Sequence, residues 1–282
     1  MTDSRSHFGG TVIDVPVPGG TIQAETVGSG PAIVLLHGWT LDRRMWRPQM
    51  ECLSGRFRLI AVDRRGFGRS TAPPDLSREM DDILAVADAF GIDGFSLVGM
   101  SQSGRVALRF ALLHPARLAC LVLQGTPLSG VTADPGGDEA MPRLRFAEMV
   151  RKGALDEMKG LWRKHRLMQT DNAAAQCLLD SILRDYEARD LARPSPPLDI
   201  CLSDLASLRT PTLIITGADD SPWRRKVADL LAQQLPGSER ASIAGAGHLC
   251  NLCKPAEFNQ ILTCFLEAHR EAGQIIGVHC PL

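Results

Sequence analysis

GFSLVGMSQSG, Gly94 to Gly104, is the stretch on which the fold turns. Gly94 to Gly99, GFSLVG, reads as a short, mostly apolar, buried strand. Ser101 to Leu113 then reads as a helix, stopped by His114-Pro115. Between them lies a sharp strand-to-helix turn bearing Ser101. Small residues must flank such a turn, because the two backbones nearly touch. Moving outward, similar apolar runs recur as AIVLLHG (Ala32 to Gly38), RLIAVD (Arg58 to Asp63), LACLVLQG (Leu118 to Gly125) and TLIITG (Thr212 to Gly217). Helical stretches separate them at Arg43 to Leu53, Ser77 to Phe90 and Arg224 to Leu235. That alternation predicts βαβ units and a parallel sheet. A strand near Ser238 to Ile243 and a helix from Pro255 to His269 close the pattern. Two β segments open it, Thr11 to Val17 and Thr21 to Val27, joined across Pro18-Gly19-Gly20 as a hairpin.

The alternation stops between Pro127 and Arg209. Met141 to Lys152, Ala154 to Leu167 and Asn172 to Leu191 are predicted helices there, and the segment is too long for one loop. We therefore expect a core of residues 1–126 and 210–282 with a helical lid, 127–209, inserted into it. PSPPLD, Pro194 to Asp199, reads as the return linker, and the last dozen residues as a weakly ordered tail.

Composition narrows the partners. The 282 residues carry 31 basic and 32 acidic side chains, a net charge of −1, so no field of one sign is available to gather nucleic acid or an anionic membrane. A small-molecule partner is expected, with the chain a monomer or homodimer. The polar start MTDSRSHFGG lacks a secretory pattern, and no apolar run has membrane length, which predicts a cytoplasmic location. Cysteines such as Cys120 and Cys264 sit within apolar runs, as free thiols in a reducing compartment do. Cys250 and Cys253 form a Cys-x-x-Cys pair. It reads either as a redox or zinc pair or as two small residues beside a functional loop, and no second pair with metal-ligand spacing exists.

A serine hydroxyl is a weak nucleophile unless a base activates it. At the start of a helix, backbone N–H groups face any negative charge that develops on its target. On GMSQSG in its strand–turn–helix setting, the chain resembles the α/β-hydrolase fold family of serine hydrolases. The resemblance covers residues about 30–126 and 210–268, and implies a mostly parallel eight-stranded sheet flanked by helices. One position departs from Gly-x-Ser-x-Gly: the last glycine is Ser103, with Gly104 next. We expect the turn to survive with the Ser103 hydroxyl bonded back to helix carbonyls.

The resemblance implies the remaining parts. HGWT, His37 to Thr40, would supply one oxyanion-hole donor from the N–H of Trp39, and Gln102 the second. His37 would brace its own turn. DRRGFGRS, Asp63 to Ser70, reads as a structural turn. Related sequences place the acid third after the glycine of GADDSP, which selects Asp220. Asp219 is the runner-up, able instead to cap the next helix or face solvent. The base is His248 in GAGHLCN, since the other histidines are terminal (His7, His279), in turns (His37, His114) or on helices (His165, His269). The run His248-Leu-Cys-Asn-Leu followed by PAEF is similar to the 3-oxoadipate enol-lactonases and related small esterases. Meta-cleavage product hydrolases usually carry tryptophan where this chain has Leu249, and dehalogenases and epoxide hydrolases use aspartate where it has Ser101.

The expected activity is cleavage of a carboxylic ester or lactone through Ser101, His248 and Asp220, without metal or organic cofactor. The alternatives are a carbon–carbon bond hydrolase or lyase on the same three residues, or a weakly catalytic ligand sensor. An apolar pocket of moderate size is expected, walled by Trp39, Met100, Trp162, Met168, Trp223 and Leu249. Met141, Met149, Met158, Leu161 and Leu167 of the lid read as lid core, and RKHR, Arg163 to Arg166, as a solvated face.

Overall fold

A sheet with both faces covered organises the chain. The computed structural model describes residues 4–5, 9–131, 142–196, 198–200 and 202–269. His7, Met141, Cys201, His279, Cys280 and the whole of the expected tail lie outside them. The strands are β1 (Ser4–Arg5), β2 (Thr11–Val17), β3 (Gly20–Val27), β4 (Ala32–Leu36), β5 (Arg58–Val62), β6 (Phe95–Met100), β7 (Leu118–Gln124), β8 (Thr212–Gly217) and β9 (Glu239–Ile243). They lie in the order β1-β2-β3-β5-β4-β6-β7-β8-β9. β2 and β3 form the predicted hairpin, with Val17 opposite Gly20, and β3 runs antiparallel to β5. From β5 to β9 all pairs are parallel. The expected eight-stranded, mostly parallel sheet is thus β2 to β9, and the two-residue β1 adds an antiparallel edge.

The apolar runs are continuous because alternate residues enter different cores. Ile33 and Leu35 of β4 join one, while Val34 and Leu36 join the other. The second core is closed by α2 (Glu79–Ala89), α3 (Gln102–Leu113) and α9 (Pro222–Gln234), through residues such as Val86, Phe110 and Val227. The first is closed by α1 (Arg47–Leu53) and α11 (Pro255–Ala268), through Met50, Phe258 and Leu262.

Between β7 and β8 the structure places α4 (Arg143–Arg151), α5 (Leu155–Arg163), α6 (Ala173–Asp185), α7 (Arg189–Ala192) and α8 (Leu202–Leu205). Phe146, Met158, Trp162 and Leu179 of these helices pack into the first core. The helix expected over Asn172 to Leu191 is in fact two. Tyr186 is extended, Ala188 is left-handed at φ 56°, and α7 restarts after it. The helix expected from Ser77 starts as α2 only at Glu79. Asp75 accepts the Ser77 N–H and opens a 3-10 turn ahead of the helix. Among the described residues, no helix is long and apolar enough to cross a membrane.

Candidate active site

Ser101 stands between β6 and α3 with φ 55° and ψ −120°, a left-handed backbone that is costly for a residue with a Cβ. The fold fixes it there. Its N–H donates to the Gln124 carbonyl at 2.7 Å, and the Gly104 N–H donates to its own carbonyl at 2.8 Å. Two glycines make the crossing possible. A Cβ on Gly99 would lie 2.6 Å from the Ser103 carbonyl oxygen and 2.9 Å from the Gly104 Cα, and a Cβ on Gly104 would overlap the Thr126 side chain. The Ser103 hydroxyl bonds to strand backbone rather than to helix carbonyls. It accepts the Met100 N–H at 2.9 Å and lies 2.8 Å from the Leu36 carbonyl and 3.0 Å from that of Met100.

His248 follows β9, and its Nδ1 lies 2.9 Å from Asp220 Oδ2. Both side chains are buried. The approach needs Gly125, at φ 54°, where a Cβ would stand 2.7 Å from the imidazole Cε1. Asp220 also accepts the Ser221 N–H at 2.7 Å. Arg224, one turn into α9, donates to the Gly125 carbonyl at 2.5 Å. Burial, and then the Arg224 charge, push the His248 imidazole below its ordinary value, although Asp220 pulls the other way. Burial works to raise the Asp220 carboxyl. The His248 charge and hydrogen bond, Arg224 and the Ser221 N–H outweigh it and hold the group below the usual carboxylate value. Asp219 does not cap α9, since the Ser221 side chain accepts the Arg224 N–H there.

The HGWT turn lies against the serine: a Cβ on Gly38 would stand 3.5 Å from the Ser101 Cβ. Gln102 is the first residue of α3, so its N–H has no carbonyl of that helix to bond. His37 braces its turn as expected, with Nδ1 2.7 Å from the Gly38 carbonyl. Sequence reasoning missed how strongly the inserted helices hold this turn. The Trp39 indole donates to Asp190 Oδ2 at 2.6 Å, and the Tyr186 hydroxyl donates to Asp190 Oδ1 at 2.6 Å. The Trp162 indole donates to the Thr40 hydroxyl at 2.7 Å, and that hydroxyl donates to the Trp39 carbonyl at 2.6 Å. Thr40 itself is left-handed at φ 62°.

Ser101 and His248 face one cavity, walled by Trp39, Leu41, Met100, Trp162, Leu167, Met168 and Leu249. Five of the six predicted wall residues are therefore in place. The sixth, Trp223, is not. In the first turn of α9 it packs with the opposite core, and its indole donates to the Val131 carbonyl at 2.9 Å. The cavity is apolar but not of moderate size, since only about 10 Å³ is left open. Leu167, read as lid core, is a wall residue. Arg163 is not simply solvated, because it pairs with Asp180 at 2.6 Å and donates to the Met168 carbonyl at 3.0 Å. Cys250 and Cys253 lie buried as free thiols in the short helix α10 (Cys250–Cys253). Among the described residues, no three His, Cys, Asp or Glu side chains are grouped to hold a metal ion.

A parallel sheet that presents a serine at a strand–helix turn, a histidine–aspartate pair and a glycine turn at one edge defines a class of protein known by its fold. The chain belongs to the alpha/beta hydrolase fold family, whose description matches residues 31–255. It is 30% identical over 261 residues to pimeloyl-[acyl-carrier protein] methyl ester esterase of Nitrosomonas europaea, covering 87% of this chain and 98% of that protein. It is 26% identical over 255 residues to 3-oxoadipate enol-lactonase 1 of Acinetobacter baylyi, covering 88% and 93%. Among solved structures, a thermophilic esterase from Thermogutta terrifontis superposes with a TM-score of 0.73 at 28% identity, over 92% of this chain and 98% of that one.

Proposed function

We propose that the chain is a serine hydrolase that cleaves a carboxylic ester or lactone. One observation carries this reading: a buried, left-handed Ser101 opens α3 and shares an apolar cavity with an imidazole whose other nitrogen is bonded to a buried carboxylate. The naming of an ester hydrolase and a lactonase among the relatives supports it.

In this mechanism His248 takes the Ser101 proton while the hydroxyl oxygen attacks the substrate carbonyl. Asp220 keeps the imidazole proton on Nδ1, so Nε2 is the accepting nitrogen, and it stabilises the imidazolium that forms. The N–H groups of Trp39 and Gln102 hold the oxyanion. Collapse expels the alcohol, or opens the lactone, as His248 returns the proton. Water activated by His248 then frees the acyl group. The helices between β7 and β8 act as a lid over this centre. With so little open space, the inserted segment's wall residues Trp162, Leu167 and Met168 are the ones expected to yield to substrate and to shape its choice.

The test uses p-nitrophenyl acetate and butyrate, a lactone panel and a fluorophosphonate probe. We expect turnover and labelling at Ser101, and Ser101→Ala should lower kcat by about 10⁴-fold or more. A Ser101→Ala protein that keeps most of its turnover would refute the assignment. Labelling without turnover would instead favour a ligand sensor.

A further inference from the structure

DRRGFGRS reads as a turn, yet its second residue reaches into the site. Arg64 is 2% exposed. One edge of its guanidinium donates two hydrogen bonds to Glu79 of α2, Nε to Oε2 at 2.7 Å and Nη2 to Oε1 at 2.8 Å. The remaining Nη1 has two acceptors, the His37 carbonyl at 3.2 Å and Gln102 Oε1 at 3.1 Å. The Arg64 peptide N–H donates to His37 Nε2 at 3.0 Å. With Nε2 accepting, the imidazole proton lies on Nδ1 and is donated to the Gly38 carbonyl. Burial first, and then the Arg64 charge, hold His37 well below its ordinary value, so the ring is neutral and keeps that tautomer.

One side chain therefore touches both segments that carry the proposed oxyanion donors: the turn leading to Trp39 after β4, and Gln102 after β6. We infer that Arg64, held by Glu79, is a positioning residue that sets the spacing of the two oxyanion-hole N–H groups. The inference rests on the hydrolase reading above. Oxyanion stabilisation depends on donors fixed in advance within about 2.7–3.1 Å of the developing charge. Displacement by ~1 Å can cost about 10² in rate. The neighbouring Arg65 supplies the contrast. It too pairs in bidentate fashion with a buried carboxylate, Asp82 at 2.6 Å, but its remaining hydrogen bond goes to the Pro73 carbonyl at 3.3 Å rather than to either segment.

The experiment compares Arg64→Lys, Gln102→Leu and Arg65→Lys with the unaltered chain. Gln102→Leu keeps the backbone N–H and removes only the acceptor for Arg64, so it decides the question if Arg64→Lys does not fold. Turnover of p-nitrophenyl butyrate is measured beside inhibition by a trifluoromethyl ketone. The Ser101 oxygen adds to the ketone carbon, the proton passes to His248, and the former carbonyl oxygen becomes an oxyanion in the hole. For Arg64→Lys and Gln102→Leu we expect kcat to fall about 10- to 100-fold with KM within about threefold, and the inhibition constant to rise by the same factor. Arg65→Lys should lower the melting temperature and leave both readouts within about twofold. Folded Arg64 and Gln102 variants with unchanged kcat and inhibition constant would overturn the inference. So would a loss of kcat with inhibition unaltered. An unaltered chain that neither turns over ester nor reacts with a fluorophosphonate would overturn the hydrolase reading itself, and this inference with it.

Discussion

The Ser103 side chain occupies the place where glycine is usual, and its hydroxyl is fully engaged with backbone at the ends of β4 and β6. Crowding at the turn falls instead on Gly99 and Gly104. Ser103→Ala should remove the hydroxyl that accepts the buried Met100 N–H and bonds the Leu36 carbonyl, costing about 1–3 kcal/mol in urea unfolding. An unchanged midpoint would show that the hydroxyl does not brace the turn. At His248 the sign of the shift sets the pH profile. As the proposed base, His248 must be neutral to accept a proton, and burial followed by the Arg224 charge hold its pKa below 6.5. Activity should therefore persist as pH falls through 6.5 and fail only on further acidification, which a kcat/KM profile would display. Arg224→Gln removes one of the three depressing influences, leaving burial and the His165 charge, so the acid limb should move upward. Ser101, His248 and Asp220 were legible as candidates because each follows a recognisable strand. Arg64 was not, because nothing in DRRGFGRS indicates that its guanidinium turns toward Gln102, 38 residues away.

At the scale of elements, the core strands were legible because burial on both faces writes itself as an uninterrupted apolar run. The hairpin was legible from Pro18-Gly19-Gly20. The break between α6 and α7 was not. Helical periodicity continues through Tyr186, and the force that interrupts it is distant: Asp190 receives Trp39, 151 residues away, while Tyr186 folds back onto the same carboxylate. The boundary of α2 shifted for a local reason, because Asp75 offered the Ser77 N–H a better acceptor than a helix start at Ser77 would have. The Asp190 link makes a measurable demand. Asp190→Asn leaves one accepting oxygen for two buried donors. It should destabilise the chain by about 2–4 kcal/mol in urea unfolding, while Tyr186→Phe, which removes a single bond, should cost about half as much. Equal costs would mean that the Trp39 indole gains little from Asp190.

For the whole molecule, sheet order and site are one fact. β4 lies between β5 and β6, so the chain steps to one side of β4 to form β5 and then crosses to its other side to form β6. The carboxyl ends of the strands around such a switch point form the crevice where parallel sheets bind ligands. Trp39 follows β4, Ser101 follows β6, Asp220 follows β8 and His248 follows β9, so chain order alone predicts their convergence once the sheet is parallel. The roof over that crevice does not follow from chain order. It is built from α5 and the turn after it, whose apolar residues read equally well as lid core or as pocket wall. Trp162 decides between these readings. Its indole is bonded to Thr40 and meets Trp39 edge-on, with ring centroids 4.8 Å apart, over a cavity that is nearly closed. Trp162→Ala removes bulk from the cavity wall and also deprives Thr40 of a donor. Absolute rates should therefore fall, while the kcat/KM ratio of p-nitrophenyl octanoate to acetate should rise by about tenfold, the scale of a few apolar contacts in a pocket. The ratio separates the two effects, because damage to the oxyanion turn lowers both substrates alike. If the ratio stays constant while both rates drop, Trp162 holds the turn in place but does not measure the acyl chain.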